Sequence, residues 1–218
     1  MRTRALLVIG VGAIAASLLI GVGGVASGWM SGWPTGPRGG MMGTVFNGGG
    51  RDIGMDSAVK FAQDAAASYP TGGLAADEVI EFTNNYYASI REKGTGIGAF
   101  EILIDRATGT VVREPGPDMM WNTKYSVMGG GMMGSFGFTG SGRLTVTAQQ
   151  AQEIAQQWLD ANQAGATAKP ADHFYGYYTI DFERGGTLAG MLSVNGNTGQ
   201  VWYHTWHGTF IQARDLGA

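Results

Sequence analysis

The second half of this chain resembles the first half when the sequence is shifted by 90 positions. Aromatic, aliphatic and glycine positions coincide under this shift: Tyr87 with Tyr177, Ile90 with Ile180, Gly96 with Gly186, Ala99 with Ala189, and Thr108-Gly109 with Thr198-Gly199. The alanines Ala58 and Ala65 align with Ala148 and Ala155 under the same shift, so no gap is expected between the parts of each copy. We interpret this as an internal duplication, which restricts the fold to a small unit built twice.

Each copy begins with the pattern of an amphipathic helix. Asp56 or Ser57 can cap the first helix, and Thr145 or Thr147 can cap the second. Apolar residues then recur every three or four positions, which predicts that one face of each helix is buried.

Extended segments follow the helix in both copies. Their enrichment in aromatic and β-branched residues predicts strands, at 86–92, 100–105 and 110–113 in the first copy and 174–182, 190–194 and 200–204 in the second. The segments 105–109 and 195–199 end in the glycine that a hairpin turn needs for positive φ. The sequence therefore predicts an α+β fold: two tandem helix-plus-antiparallel-meander modules, residues 52–127 and 143–218, after one N-terminal transmembrane helix.

Residues 5–26 form an apolar stretch behind the basic residues Arg2 and Arg4. Such a stretch gives about 33 Å of helix, which is enough for the roughly 30 Å hydrocarbon core, and the arginines should stay in the cytoplasm. Small residues at 24–27 would also suit a signal peptidase, so residues 1–26 are an N-terminal membrane anchor or a signal peptide. We expect a single-pass protein of the cell membrane whose C-terminal part is extracytoplasmic, or a secreted protein if the segment is cleaved.

Two glycine- and methionine-rich tracts, residues 27–51 and 128–142, show no apolar period. This composition is typical of flexible connections. We therefore expect a stalk between the anchor and the first module, and a linker between the two modules.

Several classes of function are disfavoured by composition. The chain has no cysteine, and its net charge of −3 gives no basic patch for nucleic acid. Its three histidines form no catalytic pattern, so we do not expect an enzyme. The acidic residues Asp77, Glu78 and Glu81 are interpreted as a solvated patch.

The closing hairpin of each copy has the form D/N-x-x-T-G-x-V, at 105–111 and at 195–201. Together with the preceding helix and meander, this motif resembles the PepSY domain, and the resemblance covers both modules. It implies a non-catalytic module that inhibits, chaperones or binds, often anchored and in tandem. We therefore expect a binding or regulatory module that acts on a partner protein or peptide at the cell envelope, with no cofactor.

The extension after the last strand of each module contains candidate metal ligands. His204 and His207 lie in the second extension, and Met119 and Met120 lie in the first. If the modules pack with pseudo-symmetry, thioethers and imidazoles could meet, and this combination suits monovalent copper. An extracytoplasmic copper-binding protein is therefore the alternative function. The tryptophans of the same extensions are candidates for packing or for contact with a partner: Trp121, Trp202 and Trp206.

Overall fold

The computed structural model describes residues 51–70, 72–126 and 144–217. The predicted anchor or signal peptide (1–26) and linker (128–142) lie outside these residues, as does the predicted stalk (27–51) apart from its last residue. Within the described ranges, no helix is both long enough and apolar enough to cross a membrane. The N-terminal transmembrane helix therefore stays a prediction.

The first module consists of a helix, four strands and a short second helix. Helix α1 forms because Ala58, Ala62 and Ala66 recur every four residues and are buried as one stripe. Strand β1 pairs with β2, β2 with β3 and β3 with β4, all antiparallel. The elements are α1 (Met55–Ala67), β1 (Leu74–Phe82), β2 (Tyr86–Glu92), β3 (Gly98–Ile104), β4 (Val111–Arg113) and α2 (Pro117–Met120).

The second module repeats the order of one helix followed by antiparallel strands. Its helix starts at a capping box, in which Thr147 and Gln150 each accept a hydrogen bond from the other's backbone N–H. Strand β7 pairs with β5, β6 and β8, and β8 also pairs with β9. The elements are α3 (Ala148–Asn162), β5 (Ala166–Ala168), β6 (Asp172–Phe174), β7 (Tyr177–Arg184), β8 (Thr187–Asn195), β9 (Val201–Tyr203) and β10 (Phe210–Asp215).

Strand β10 leaves the second module and extends the sheet of the first. It pairs antiparallel with β1, from the Phe82–Phe210 pair to the Glu78–Asp215 pair. The halves also meet at one parallel bridge between Gly98 and Phe174, where glycine is required because a Cβ would lie 2.4 Å from the phenyl ring. The described strands thus form one sheet. The predicted α+β class, with mainly antiparallel strands, is confirmed.

Each helix covers one face of its own half of the sheet. Helix α1 buries the apolar side that includes Ala88 and Ile102, and α3 buries the side that includes Ile180 and Leu192. The two helix-free faces contact each other. The apolar part of this contact consists of Ile80, Phe82, Tyr87, Leu103 and Met191.

The predicted solvated patch at Asp77, Glu78 and Glu81 is wrong, because these residues belong to β1. Glu81 is only 7% exposed. Its carboxylate accepts hydrogen bonds from Arg106 at 2.8 Å and from Gln212 at 2.6 Å. The acidic residues made this segment look unlike a strand in the sequence, because the residues that pair with its carboxylates come from distant parts of the chain.

The gap-free shift of 90 is also wrong for the first part of each module. The buried helix positions correspond at a shift of 93, as Ala58 and Ala151 do. The strand pair Leu74–Glu92 corresponds to Ala166–Arg184, a shift of 92. A shift of 90 applies only from β3 onward, because the chain between the paired residues Arg91 and Gly98 is two residues longer than that between the equivalent pair Glu183 and Leu188. The duplication itself stays an interpretation.

Candidate metal centre

Glu114, His204 and His207 bring three ligand atoms together in the interior. Glu114 Oε1 lies 3.4 Å from His204 Nδ1 and 3.1 Å from His207 Nε2. The two imidazole nitrogens are 3.4 Å apart. Relative exposures of 0%, 4% and 2% place all three residues out of solvent.

The backbone places Glu114 and His204 at equivalent points of the two modules. Glu114 follows β4, and its N–H donates to the carbonyl of Glu101 at 2.9 Å. His204 follows β9, and its N–H donates to the carbonyl of Met191 at 3.1 Å. Donor and acceptor are both displaced by 90 positions, so each ligand continues its own hairpin by one residue into the space between the two helix-free faces.

The outer nitrogen of His207 must carry a proton. Asn85 Nδ2 donates to the carbonyl of Trp206 at 3.0 Å, which turns Asn85 Oδ1 toward His207 Nδ1 at 3.1 Å. An amide oxygen only accepts, so Nδ1 is the donor. In a neutral ring, the lone pair is then on Nε2, which is the atom nearest Glu114.

A chain of hydroxyls fixes His204 in the same way. Thr179 donates its proton to Glu101 Oε1 at 2.8 Å, so it accepts from Ser193 at 3.2 Å. Ser193 therefore accepts from His204 Nε2 at 3.0 Å. The lone pair of a neutral His204 is left on Nδ1, which faces Glu114 and His207.

Glu114 is ionised in this setting. Burial acts to raise the pKa of the Glu114 carboxyl, but when the imidazole pair carries a proton, positive charge and hydrogen bonds from His204 and His207 hold that pKa well below its usual range. Burial lowers the pKa of His207, which favours the neutral ring. Trp206 Nε1 donates to Glu114 Oε1 at 3.0 Å, while Glu114 Oε2 is buried without a hydrogen-bond partner among the described atoms.

This arrangement has the donor set and spacing of a metal site. Three ligand atoms at 2.0–2.1 Å from one tetrahedral ion lie about 3.3 Å apart, close to the three distances found here. The outer nitrogen of each ring is held by a side-chain oxygen, as is usual for histidines that bind a metal. Stacked rings enclose the imidazoles: Trp206 lies 4.7 Å from His204, and Phe82 lies 4.6 Å from His207, between ring centroids.

The predicted ligands are only partly brought together here. His204 and His207 belong to the cluster, whereas Met120 is 43% exposed on α2 and Met119 is partly buried. The third member, Glu114, was not among the predicted ligands. Its position 90 residues before His204 was the signal that could have identified it.

The predicted contact tryptophans take two different positions. Trp206 stacks on His204 and belongs to the wall of the candidate metal centre. Trp121 and Trp202 pack edge to face, with ring centroids 5.9 Å apart, and Trp202 also lies against Gly116, where a Cβ would be 2.9 Å from its ring. These two tryptophans pack the two extensions against each other.

A second buried carboxylate, Glu101, lies at the far end of the hydroxyl chain. Tyr87 from its own module and Tyr177 and Thr179 from the other donate to it at 2.6, 2.7 and 2.8 Å. Burial raises the pKa of Glu101 well above its usual value, and repulsion from Glu114 adds to this effect. The contact between the helix-free faces is therefore polar at its centre.

Comparisons with known proteins give little further information. No family model matches the sequence, and no curated protein matches it. Among solved structures, the chain is similar to the Bacillus megaterium YpeB C-terminal domain, with 13% sequence identity and a TM-score of 0.25. The similarity covers 70% of this chain and 62% of that chain, so this chain spans less than two thirds of its length. The function therefore has to be argued from this chain's own residues.

Proposed function

We propose that this chain is a metal-binding, non-catalytic protein of the cell envelope that holds a divalent transition-metal ion between Glu114, His204 and His207. The observation that carries the proposal is the convergence of two imidazole nitrogens on one buried carboxylate oxygen, at 3.4 and 3.1 Å. Without a cation or an added proton, these acceptors would repel each other in a region of low dielectric.

The donor set favours zinc. Two imidazoles and a carboxylate are ligands that Zn²⁺ accepts readily, whereas monovalent copper prefers thiolates and thioethers. The exposure of Met120 weakens the expectation of a methionine-rich copper site. Divalent copper accepts imidazole and carboxylate ligands and is the closest competitor.

The burial of the centre supports a structural role for the ion. Catalytic zinc sites keep one position open to water or substrate. Here, the three residues are buried, and stacked rings shield the imidazoles. Such an ion would stabilise a PepSY-type binding module without giving it an activity. Engagement of an envelope protein or peptide stays a prediction, and the envelope location rests on residues 5–26.

The proposal is tested by calorimetric titration of the chelator-stripped, full-length protein with Zn²⁺, Cu²⁺ and, under reducing conditions, Cu⁺. We expect one Zn²⁺ site that is lost in His207→Ala and strongly weakened in Glu114→Gln, which keeps an acceptor for Trp206. Co²⁺ should give the visible absorption of a tetrahedral ion. His173→Ala is the matched control, because His173 lies outside the cluster.

Three results would contradict the proposal. Wild-type protein that binds none of these ions would show that the centre is a hydrogen-bonded cluster occupied by a proton. Binding that survives His207→Ala would place the ion elsewhere. Preference for Cu⁺ over Zn²⁺, lost in Met119→Leu, would support the methionine-containing copper site instead.

A further inference from the structure

The two histidine ligands lie on the segment that carries β10 from the second module to the first. This segment, residues 204–209, is called the crossover below. It begins after β9 in the second module and ends where Phe210 pairs with Phe82 in β1. The third ligand, Glu114, belongs to the first module, and so does Asn85, which orients His207.

Strand β10 itself has few side-chain contacts that could hold it in place. Phe210 is partly buried, and the other five residues of the strand are exposed. Arg214 pairs with Asp56 at 2.6 Å, but Asp56 is 92% exposed, and exposed ion pairs contribute little. The buried apolar area that would fix β10 on β1 is therefore small.

The crossover, by contrast, is attached to the first module at several points. The N–H groups of Thr83 and Asn84 donate to the carbonyls of Thr209 and His207 at 2.9 and 3.1 Å. The carbonyl of Trp206 accepts from the side chains of both Asn84 and Asn85. These bonds lie beside the candidate metal centre, so the crossover and the cluster contact the first module in one place.

We propose that the ion acts as a latch, so that metal occupancy decides whether β10 stays docked on β1. This inference rests on the proposed metal site. Undocking β10 through the crossover moves His204 and His207 away from Glu114 and therefore releases the ion. Ion binding opposes any opening that releases the ion. Well above the dissociation constant, the equilibrium constant for opening falls in proportion to the free ion concentration. Loss of the ion removes the link between the two histidines of the crossover and Glu114, frees the crossover and uncovers the edge of β1.

The test is amide hydrogen exchange of full-length protein, stripped and with excess Zn²⁺. In the stripped protein, we expect β10 amides to exchange faster than those of β2 and β3. With free Zn²⁺ at 1,000 times its dissociation constant, their protection should rise by up to about 1,000-fold. The first turn of α3, which can fray without disturbing the centre, is the internal control and should not change.

The outcomes separate this inference from the proposed function. If calorimetry shows Zn²⁺ binding but β10 exchange is unchanged, the latch is wrong and the metal site stands. If no ion binds, both fail. If protection rises in β10 and in the crossover but not at the start of α3, the latch is supported.

A reciprocal experiment uses a variant with an impaired strand. Ala213→Pro should disrupt the pairing of Ala213 with Ile80 while leaving every ligand in place. If the docking of β10 and ion binding are coupled, this variant should bind Zn²⁺ more weakly, by about 5–150-fold for a coupling free energy of typical size. Ala213→Ser is the matched control and should bind as the wild type does. If Ala213→Pro, shown to be folded by circular dichroism, keeps wild-type affinity, β10 and the ion are uncoupled.

Discussion

The buried carboxylates of this protein are accommodated in different ways. Asp118 receives a two-point contact from the Arg113 guanidinium, at 2.6 and 2.9 Å. Glu101 is surrounded by hydroxyl donors, as described above. Glu78 and Asp181 are partly buried near other carboxylates, and burial, their largest influence, raises the pKa of Glu78 to about 7 and that of Asp181 to about 8. These two groups therefore hold protons that an unfolded chain would release.

This difference predicts that the free energy of unfolding falls as the pH rises from about 4.5, where the unfolded carboxyls lose their protons, to about 8, the folded pKa of Asp181. A carboxyl with a raised pKa in the folded state contributes stability that is present at low pH and is lost as the pH rises through the folded pKa. Urea denaturation across this range measures the effect. The charged groups that influence the pair are Asp77, Arg91, Lys169, Asp172, Glu183 and Asp215.

Asp181→Asn should remove much of the slope above pH 7, because its amide does not titrate. Asp160→Asn, at an exposed position of α3, is the matched control and should leave the slope unchanged. The interpretation of Asp181 would be wrong if Asp181→Asn kept the full wild-type slope.

At the scale of elements, the two threonine-glycine turns provide an internal comparison. Gly109 and Gly199 have φ of +71° and +70°, so both need the left-handed conformation that side chains disfavour. Their surroundings differ. A Cβ at Gly109 would lie 2.5 Å from the Phe61 ring, whereas one at Gly199 would lie 3.2 Å from the flexible end of Ile154.

We expect Gly199→Ala to lower the free energy of unfolding by about 1–2 kcal/mol through backbone strain alone. Gly109→Ala should lower the free energy of unfolding by about 1–3 kcal/mol more than Gly199→Ala does, because the rigid phenyl ring of Phe61 must also move. Chemical denaturation of the two variants side by side measures the difference, and each serves as the control for the other. Equal losses would show that Phe61 adapts without cost.

Local sequence signals predicted α1, α3, the threonine-glycine turns and strands in six segments, because each depends on residues close together in the chain. The short helix α2 and strands β1, β5 and β10 were not predicted. Strand β1 was missed because its charges are satisfied by distant residues. The alignment of the two modules in sequence was also misjudged, although an ion pair that recurs with its charges exchanged marks the correct alignment. Asp77 pairs with Arg91, and 92 positions later Lys169 pairs with Glu183 at 3.0 Å. Similarity of residue type could not reveal this correspondence, since the charges are exchanged.

At the scale of the whole molecule, the modules are joined by more than a linker. The docking of β10 on β1 was beyond the reach of sequence patterns, because most of its side chains are exposed and show no buried period. The contact between the helix-free faces was equally hidden, since it mixes apolar residues with Glu101, Tyr177 and Thr179. Of the cluster of Glu114, His204 and His207, the two histidines were among the predicted ligands, and metal binding itself stays a prediction. The position of Glu114 beside them depended on the way the modules face each other.

These connections predict that the described modules unfold as one cooperative unit. Ile102 is 2% exposed in the core beneath α1, so Ile102→Ala should lower the free energy of unfolding by about 2–5 kcal/mol. Unfolding of the first module removes β1, on which β10 docks, and Glu101, which accepts hydrogen bonds from Tyr177 and Thr179. The core of the second module should therefore be destabilised by the same amount. Hydrogen exchange of the Leu192 amide in β8 measures this, with Lys60→Ala on the exposed side of α1 as the control. If the Leu192 amide kept its wild-type protection in Ile102→Ala, the two modules would unfold independently. Neither the docking of β10 on β1 nor a shared ion would then couple their free energies of unfolding.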